Sequence, residues 1–291
     1  MAPAHVLCVG AAHWDLIARS DGELRTGDDV PGQIRQRPGG VALNVALGLA
    51  AREVRVSLCS AVGADDAGAS LTAYATAAGV DCTDVAIIGG AATNRYLAIE
   101  DVSGDLFAAV AEIGLLEGHA DQVAAKASRA LVASDTLFLE ANLPSAAIEG
   151  IARHAAARGV KIVVNPVSPV KAPRLVRLIS EPFRATIVAN LREANVLLGK
   201  SASTAAGAAT ALLAVGAEAA LVTDGPRPAA LATAASLVTS APETLQGDVS
   251  VTGAGDALLA AFLASPDLHD EPYDALTSAL RAAAEHMERH A

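Results

Sequence analysis

A glycine-rich turn at residues 251–256, with the sequence Val-Thr-Gly-Ala-Gly-Asp, puts a carboxylate beside a predicted phosphate site. Gly253 and Gly255 permit a tight turn, and the apolar residues 257–264 predict a helix whose first amides and dipole attract an anion. Asp256 would repel that anion unless it accepts a proton from a hydroxyl that attacks the phosphorus. The alternative is an ordinary helix start, with Thr252 as the cap and Asp256 in an acidic first turn. The turn alone leaves both interpretations open.

Composition limits the classes of partner. The chain has 291 residues, 52% of them hydrophobic, and a net charge of −11, so it can bury a large core. The acidic charge and the lack of any dense Lys/Arg run argue against a nucleic-acid partner and favour small substrates. No run of about 18 apolar residues is free of charges or turn residues, so no membrane span is expected. Cys8, Cys59 and Cys82 lack CxxC spacing and nearby paired histidines, which indicates buried thiols, no structural metal and a cytoplasmic location.

Short β-type runs alternate with helical Ala/Leu stretches along the chain, which is the pattern of βαβ units. The expected strands are residues 6–9, 54–60, 136–139, 161–164, 185–188 and 219–223. Such strands predict one α/β domain over residues 1–291, with a mainly parallel sheet covered by helices on both faces. Ligands of such sheets bind at the carboxyl ends of the strands.

Two segments interrupt this alternation, residues 16–38 and 95–111, which are rich in turn residues and short alternating runs. We expect them to pair as a small β-sheet lid, because a long polar excursion from a compact domain is usually functional. The alternative is an ordinary decorated loop. A free edge of the lid would allow a homodimer.

Polar residues near the amino terminus are suited to a hydroxyl-rich ligand. Gly39 and Gly40 precede a predicted helix whose first turns carry Asn44, an amide that can both donate and accept hydrogen bonds. Asp15 is expected at the carboxyl end of the first strand, where its carboxylate could accept bonds from sugar hydroxyls; an exposed turn aspartate is the alternative. His13 is either a pocket wall or a packing residue.

Asn190 and Glu193 follow the predicted strand 185–188 and have the spacing of a helix capping box. The same pair could organise water around a magnesium–phosphate complex, since Mg²⁺ keeps several waters and takes few protein ligands. Both roles are compatible. Gly199-Lys200-Ser201 ends like a Walker A loop, but Ala194 stands where the first glycine should be, so Gly199 is interpreted as a helix stop.

Taken together, these residues resemble the pfkB, or ribokinase-like, family of sugar and nucleoside kinases, whose Gly-Gly…Asn and Gly-Ala-Gly-Asp signatures occur in this order and separation. The resemblance implies a ribokinase-like fold and transfer of phosphoryl from ATP, with Mg²⁺, to an alcohol group of a sugar or nucleoside. It also implies the following roles: substrate binding by Asp15, Gly39, Gly40 and Asn44; nucleotide binding by Asn190, Thr223, Gly225 and Thr252; contact with Mg²⁺ through water by Asn190 and Glu193; an anion hole of Gly253, Ala254 and Gly255; and catalysis by Asp256.

Within the family the chain is most similar to the pseudouridine kinases, which phosphorylate the ribosyl 5′-hydroxyl of pseudouridine. The segments that carry this similarity are residues 30–34, 37–40, 93–97, 165–168 with Lys171, and 251–256. The resemblance implies that the polar edge of the uracil meets Asp29, Asn165, Ser168 or Lys171. Another nucleoside or a ribose-type sugar is the next expected substrate.

The chain departs from the family pattern in four places. Ser250 replaces an aspartate that helps to hold a monovalent cation in many members, which puts K⁺ activation in doubt, and His13 replaces a frequent asparagine. Pro226-Arg227-Pro228 follows Gly225 where a glycine-containing turn is usual, and the sequence ends at Ala291, soon after the helix predicted for residues 275–287. A weak adenine pocket would leave a non-catalytic nucleoside or sugar sensor as the alternative to a kinase.

Overall fold

The computed structural model describes residues 5–245, 252–265 and 271–289. In chain order its strands are β1 (His5–Val9), β2 (His13–Ser20), β3 (Gly32–Gly39), β4 (Arg55–Cys59), β5 (Ala61–Gly63), β6 (Ala86–Ile88), β7 (Arg95–Glu100), β8 (Leu106–Glu112), β9 (Thr136–Glu140), β10 (Lys161–Asn165), β11 (Thr186–Asn190), β12 (Ala219–Asp224), β13 (Arg227–Thr233) and β14 (Leu237–Ser240).

The helices of the same ranges are α1 (Val41–Ala50), α2 (Asp66–Ala77), α3 (Gly114–Gly118), α4 (Ala120–Ala130), α5 (Ser145–Ala156), α6 (Leu191–Leu198), α7 (Ala205–Ala214), α8 (Ala254–Ala264) and α9 (Pro272–Arg289), with short 3₁₀ segments at Leu131–Ala133 and Ala172–Leu178. The predicted helix over 275–287 is confirmed within α9. Gly199 ends α6 in the left-handed conformation, which confirms it as a helix stop.

The main sheet has the strand order β14-β13-β12-β11-β10-β9-β1-β4. The six strands from β12 to β4 are parallel, and β13 and β14 extend the sheet as antiparallel strands. All six strands expected from the sequence are present. The mainly parallel sheet is therefore confirmed, and the carboxyl ends of its strands lie along one edge.

Helices cover both faces of this sheet. One core cluster contains Ile148 of α5 and Leu212 of α7, and the other contains Leu43 of α1, Phe262 of α8 and Leu276 of α9, all at most 1% exposed. Each such side chain contributes about 1.5–3 kcal/mol when it leaves water. The second cluster packs α1 directly against α8 and thereby fixes the relative position of the two helix starts that carry the predicted site.

A separate sheet of order β3-β2-β7-β8 contains the two segments predicted to form a lid. Strand β2 pairs antiparallel with β3 and parallel with β7, and β7 pairs antiparallel with β8. The prediction for Asp15 was wrong in one respect, because β1 ends at Val9 and Asp15 lies within β2. The chain starts a new strand after Ala12, since residues from His13 onward find partners in β3 and β7 rather than in the main sheet.

Candidate active site

A hydrogen bond between two helix starts defines the centre of the site. The side-chain amide of Asn44, in the first turn of α1, donates from Nδ2 to Oδ2 of Asp256, in the first turn of α8, over 2.8 Å. The two residues are 212 positions apart in the chain. The structure thus brings together the two glycine-containing motifs that were singled out separately from the sequence.

The carboxylate of Asp256 has an electrostatically unfavourable environment. Its burial raises the pKa of Asp256 to about 6, and the nearby charges of Glu140 and Asp15 add to that increase. The hydrogen bond from Asn44 and the charge of His13 oppose it. A carboxylate whose pKa approaches neutrality can accept a proton more readily than an ordinary aspartate and still be ionised at physiological pH.

Glu140 is a site residue that the sequence reasoning missed. It ends β9, is fully buried, and accepts hydrogen bonds from the backbone amides of Ala11 and, over 2.6 Å, Asn142. Burial raises the pKa of Glu140, although these amides oppose the increase. A Cβ on Gly10 would overlap its carboxylate. A usable signal existed, because an acidic residue directly after an apolar strand lies at the ligand-binding edge of a parallel sheet.

Asp15 reaches the site from the lid sheet. Its carboxylate lies 3.2 Å from Nδ1 of His13 and 3.5 Å from Nε of Arg37. Nδ1 of His13 is buried and makes no hydrogen bond of good geometry within the described residues. Gly39, opposite His13 in β3, has no room for a side chain because a Cβ would overlap the Asp15 carboxylate.

Gly40 precedes α1 with φ 96°, and a Cβ there would overlap the carbonyl group of Ala11. Only glycine satisfies both constraints. The same Ala11 carbonyl accepts the amide of Leu43 in the first turn of α1. The position of Asn44 is therefore set by the backbone of the chain segment that follows β1.

The turn before α8 presents backbone amides rather than a capped end. Gly253 is the N-cap residue, with φ 85°, and no side chain of the described residues caps the helix. The interpretation of Thr252 as a helix cap was therefore wrong, because a glycine takes that position. Uncapped amides at a helix start can bind an anion.

Asn190 and Glu193 form the predicted capping box. The amide of Glu193 donates to Oδ1 of Asn190, and the amide of Asn190 donates to Oε2 of Glu193, each over 3.0 Å. Burial raises the pKa of Glu193. Hydrogen bonds from the backbone amide and the side chain of Asn190 oppose that increase, so the two residues present their side-chain oxygen atoms in one fixed arrangement. This donor set fits Mg²⁺ held through water, since Mg²⁺ prefers oxygen ligands and keeps its waters.

Thr223 and Gly225 lie at the end of β12, the strand next to β11. Gly225 and Pro226 connect β12 to the antiparallel β13, so the unusual Pro-Arg-Pro sequence belongs to a tight hairpin. Arg227 donates two 2.6 Å hydrogen bonds to the carboxylate of Asp224 across that hairpin.

The four residues expected to contact a base differ in their hydrogen bonds and in their exposure. Asn165 ends β10; its Nδ2 donates to the carbonyl of Val188 and its Oδ1 accepts from the amide of Val167, both over 2.9 Å. It therefore holds the loop that carries Ser168, which is partly exposed. Lys171 is half-buried and donates to Oδ1 of Asn142, the residue whose amide binds Glu140. Burial lowers the pKa of Lys171, and the charge of Glu140 opposes the change.

Asp29, in contrast, is exposed in the connection between β2 and β3. Ser250 lies outside the described residues. A cavity of about 290 Å³ lies at the opposite edge of the main sheet, against the starts of β9, β10 and β11 at Thr136, Lys161 and Thr186. It is thus separate from the cluster around Asp256.

Two further findings concern the described ranges. No group of three or more His, Cys, Asp and Glu side chains there is arranged to hold a metal ion. None of the helices there combines the length and the apolar character that crossing a bilayer requires.

The comparisons with known proteins agree with this geometry. The family model described as "pfkB family carbohydrate kinase" matches residues 3–291. The chain belongs to the pfkB family of carbohydrate kinases. This membership confirms the predicted family and supports the predicted class of enzyme, an ATP-dependent phosphotransferase that acts on an alcohol group.

Similar individual proteins carry kinase names. The chain is 28% identical over 195 residues to the pseudouridine kinase of Escherichia coli, an alignment that covers 67% of this pfkB-family chain and 61% of the relative. The chain thus spans about three fifths of that relative. It is also 36% identical over 103 residues to the ATP-dependent ribose-1-phosphate kinase of Halopiger xanaduensis, covering 33% of each protein.

A carbohydrate kinase from Agrobacterium tumefaciens has a similar structure, with a TM-score of 0.83, 26% identity, and coverage of 97% of this chain and 90% of that one. An Arabidopsis thaliana ribokinase complexed with ribose and ATP gives a TM-score of 0.80 at 20% identity, covering 99% and 93%. These neighbours confirm the ribokinase-like fold.

Proposed function

We propose that this chain transfers the γ-phosphoryl group of ATP, with Mg²⁺, to the ribosyl 5′-hydroxyl of pseudouridine. The observation that carries the proposal is the Asn44–Asp256 hydrogen bond, because it holds a partly buried carboxylate beside the open amino terminus of α8. A proton acceptor next to an anion site is the arrangement that phosphoryl transfer to a hydroxyl requires.

In the proposed reaction Asp256 accepts the proton of the 5′-hydroxyl as its oxygen bonds to the γ-phosphorus, and the bond to the ADP oxygen breaks. A pKa of about 6 leaves Asp256 mostly ionised at pH 7.5 and therefore able to act as the base. Phosphoryl transfer needs little ionisation of the nucleophile early on, so positioning and charge neutralisation supply most of the rate. General base catalysis of this kind contributes roughly 10²- to 10⁴-fold.

Backbone amides of Gly253, Ala254 and Gly255 would neutralise the charge that develops on the transferred group. Asn190 and Glu193 would hold Mg²⁺ through its waters, and the bound ion would supply positive charge to the phosphates. Thr223, Gly225 and Thr252 would contact the nucleotide. A structural neighbour, a putative ribokinase II from E. coli in complex with ATP and Mg²⁺, supports this donor.

The sugar would bind among Asp15, Gly39, Gly40, Asn44 and Glu140. The buried Nδ1 of His13 lies 3.2 Å from the Asp15 carboxylate without hydrogen-bond geometry, which supports a ligand hydroxyl between or beside them, since buried polar atoms normally have well-aligned partners. Lys171 and Ser168, and Asn165 through the loop that it holds, would determine recognition of the uracil edge.

The relative named pseudouridine kinase supports the choice of substrate, and the low identity keeps another nucleoside or a ribose-type sugar as the second candidate. The test is ADP release by the purified protein with Mg·ATP and pseudouridine, run beside uridine, adenosine, cytidine and ribose. We expect a strong preference for pseudouridine. Turnover of another acceptor would refute the substrate, and binding of a nucleoside without turnover of any acceptor would favour the non-catalytic sensor.

We also propose that residues 1–291 act as one domain whose sheet β3-β2-β7-β8 closes over the sugar. The position of Asp15 within that sheet supports this role, because lid position and substrate contact are then coupled. The free thiols of Cys8, Cys59 and Cys82 are consistent with the proposed cytoplasmic location.

The lid edge supports a homodimer. All seven residues of the edge strand β8 are exposed, including Leu106 at 61%, Phe107 at 52% and Val110 at 66%. An apolar edge strand of this kind is a surface for pairing with a second copy. Sedimentation analysis should give a dimer for the native chain and a monomer for Phe107→Glu, while Val170→Glu, at a site 90% exposed on the main domain, should stay dimeric. A monomeric native chain would refute this proposal.

A further inference from the structure

The carboxy-terminal helix contacts the turn that forms the proposed anion hole. Nε2 of His286, in the last turn of α9, lies 3.0 Å from the carbonyl oxygen of Thr252. A carbonyl oxygen only accepts hydrogen bonds, so the hydrogen of this contact is on Nε2. The imidazole of His286 thus holds the backbone of the turn from outside the proposed ATP and sugar contacts.

The same imidazole occupies the space beside Gly253. A Cβ on Gly253 would lie 2.7 Å from Nε2 and 3.1 Å from Cε1 of His286, and the glycine adopts φ 85°. The ring therefore packs directly against the N-cap residue of α8. A side chain at position 253 would have to displace His286 as well as accept a strained backbone.

Holding the Thr252 carbonyl also orients the next amide. In a trans peptide the C=O and N–H bonds point in opposite directions. Because His286 binds the carbonyl of the Thr252–Gly253 peptide, the Gly253 N–H is directed away from the imidazole. That N–H is one of the proposed phosphate donors, so His286 can control its alignment without touching the phosphate.

The imidazole and a bound K⁺ ion would compete for this carbonyl. Monovalent cations are held by oxygen atoms, and the hydrogen bond from His286 leaves the Thr252 oxygen one of its two lone pairs for such an ion. The sequence also has a serine at position 250, so that position supplies no carboxylate to such an ion.

We propose that His286 is a positioning residue that fixes the Thr252–Gly253 peptide for phosphate binding, and that turnover therefore does not require K⁺. The inference rests on the proposed kinase function. An imidazole fixed to α9 would provide the restraint that a cation bound to the same carbonyl could provide.

Three variants test the role of the imidazole. His286→Ala removes the donor, and His286→Gln keeps a donor near the position of Nε2. His154→Ala is the matched control, because His154 also lies in the last turn of a helix and contacts a carbonyl, that of Gly150, on an exposed surface. We expect His286→Ala to lower kcat about 10-fold or more with little change in the nucleoside KM, in line with a weakened anion hole. His286→Gln should retain most of the kcat, and His154→Ala should match the native chain.

The cation dependence is measured in the same assay, with KCl replaced by choline chloride at constant ionic strength. Unchanged native kcat supports the proposal, and a rise of several-fold with K⁺ contradicts it. A native kcat in His286→Ala, or equal losses in His286→Ala and His286→Gln, would also contradict it.

A second measurement does not depend on turnover. Calorimetric titration with Mg·ATP should give the same affinity in KCl and choline chloride for the native chain, and weaker binding for His286→Ala than for His286→Gln. If no acceptor is phosphorylated but this pattern holds, the proposed substrate fails and the role of His286 stands. If the acceptor is phosphorylated but the ATP affinity and the kcat are the same in the native chain and in the variants at position 286, only the role of His286 is refuted.

Discussion

Replacing Asn44 by alanine should move the acid limb of the pH–rate profile upward. Asn44 stabilises the ionised form of Asp256 through a 2.8 Å hydrogen bond, and it opposes the burial that raises the pKa of Asp256 to about 6. A hydrogen bond to a charged group contributes about 1.5–3 kcal/mol, and one pKa unit corresponds to 1.36 kcal/mol. Because Asp256 retains some solvent contact, we expect its hydrogen bond to contribute near the lower end of these energies. Loss of the bond should therefore raise the pKa of Asp256 by about 1 unit.

The pH dependence separates this effect from lost sugar binding. With a pKa near 7 instead of 6, the ionised fraction of Asp256 at pH 7 falls from about nine tenths to about one half. The kcat/KM for the nucleoside, measured from pH 5 to pH 9 at saturating Mg·ATP, should show the acid limb about 1 unit higher in Asn44→Ala. A uniform decrease at all pH values would instead reflect lost contact with the sugar.

The control is Asn195→Ala, which also removes a partly buried amide with two hydrogen bonds, both to Ala202. It should lower stability without moving the acid limb. An unshifted limb in Asn44→Ala, or an equal shift in both variants, would refute the assignment of Asn44 as the residue that sets the ionisation of Asp256.

Three further predictions concern stability and specificity. The folded pKa of Asp256 exceeds its ordinary value of 3.8, so the contribution of Asp256 to folding stability is fully present below about pH 4 and is lost as the pH rises through about 6. Asp256→Asn should therefore have a free energy of unfolding up to about 3 kcal/mol above that of the native chain at pH 7, and about the same value at pH 4. Denaturant titration at the two pH values measures this difference. Gly40→Ala should lower Tm and destroy activity, since its Cβ would overlap the Ala11 carbonyl; a native Tm would contradict this. Lys171→Met should reduce kcat/KM for pseudouridine more than for ribose, because the lost ammonium, bonded to Asn142, is proposed to act on the base; equal losses would count against that role.

Much of the fold was predictable because its signals are local. Short apolar runs with turn residues between them identified the six parallel strands, and the Asn190–Glu193 spacing identified the capping box. The lid sheet followed from two polar excursions with alternating residues. Each of these features depends on interactions between residues that are near in sequence or that repeat with a fixed period.

The contacts that complete the site depend on tertiary packing and were not predictable in that way. The Asn44–Asp256 bond requires α1 to pack on α8, which follows only once both helices cover the same face of the sheet. Glu140 belongs to the site because it is buried and accepts a hydrogen bond from the backbone amide of Ala11. Asp15 lies in β2 because it pairs with Arg37 of β3 and with Tyr96 of β7, and the second of these partners is far away in the sequence. The His286 contact joins α9 to the turn before α8, and no residue spacing indicates that approach.

The role of Asp256 as the base is decided by the kcat of Asp256→Asn with Mg·ATP and the best acceptor, measured beside the calorimetric Kd of the nucleoside. We expect a loss of about 10²- to 10⁴-fold in kcat, as for a lost general base, with a Kd within a few-fold of native. A near-native kcat in a folded Asp256→Asn protein would contradict the assignment of Asp256 as the base and with it the proposed mechanism.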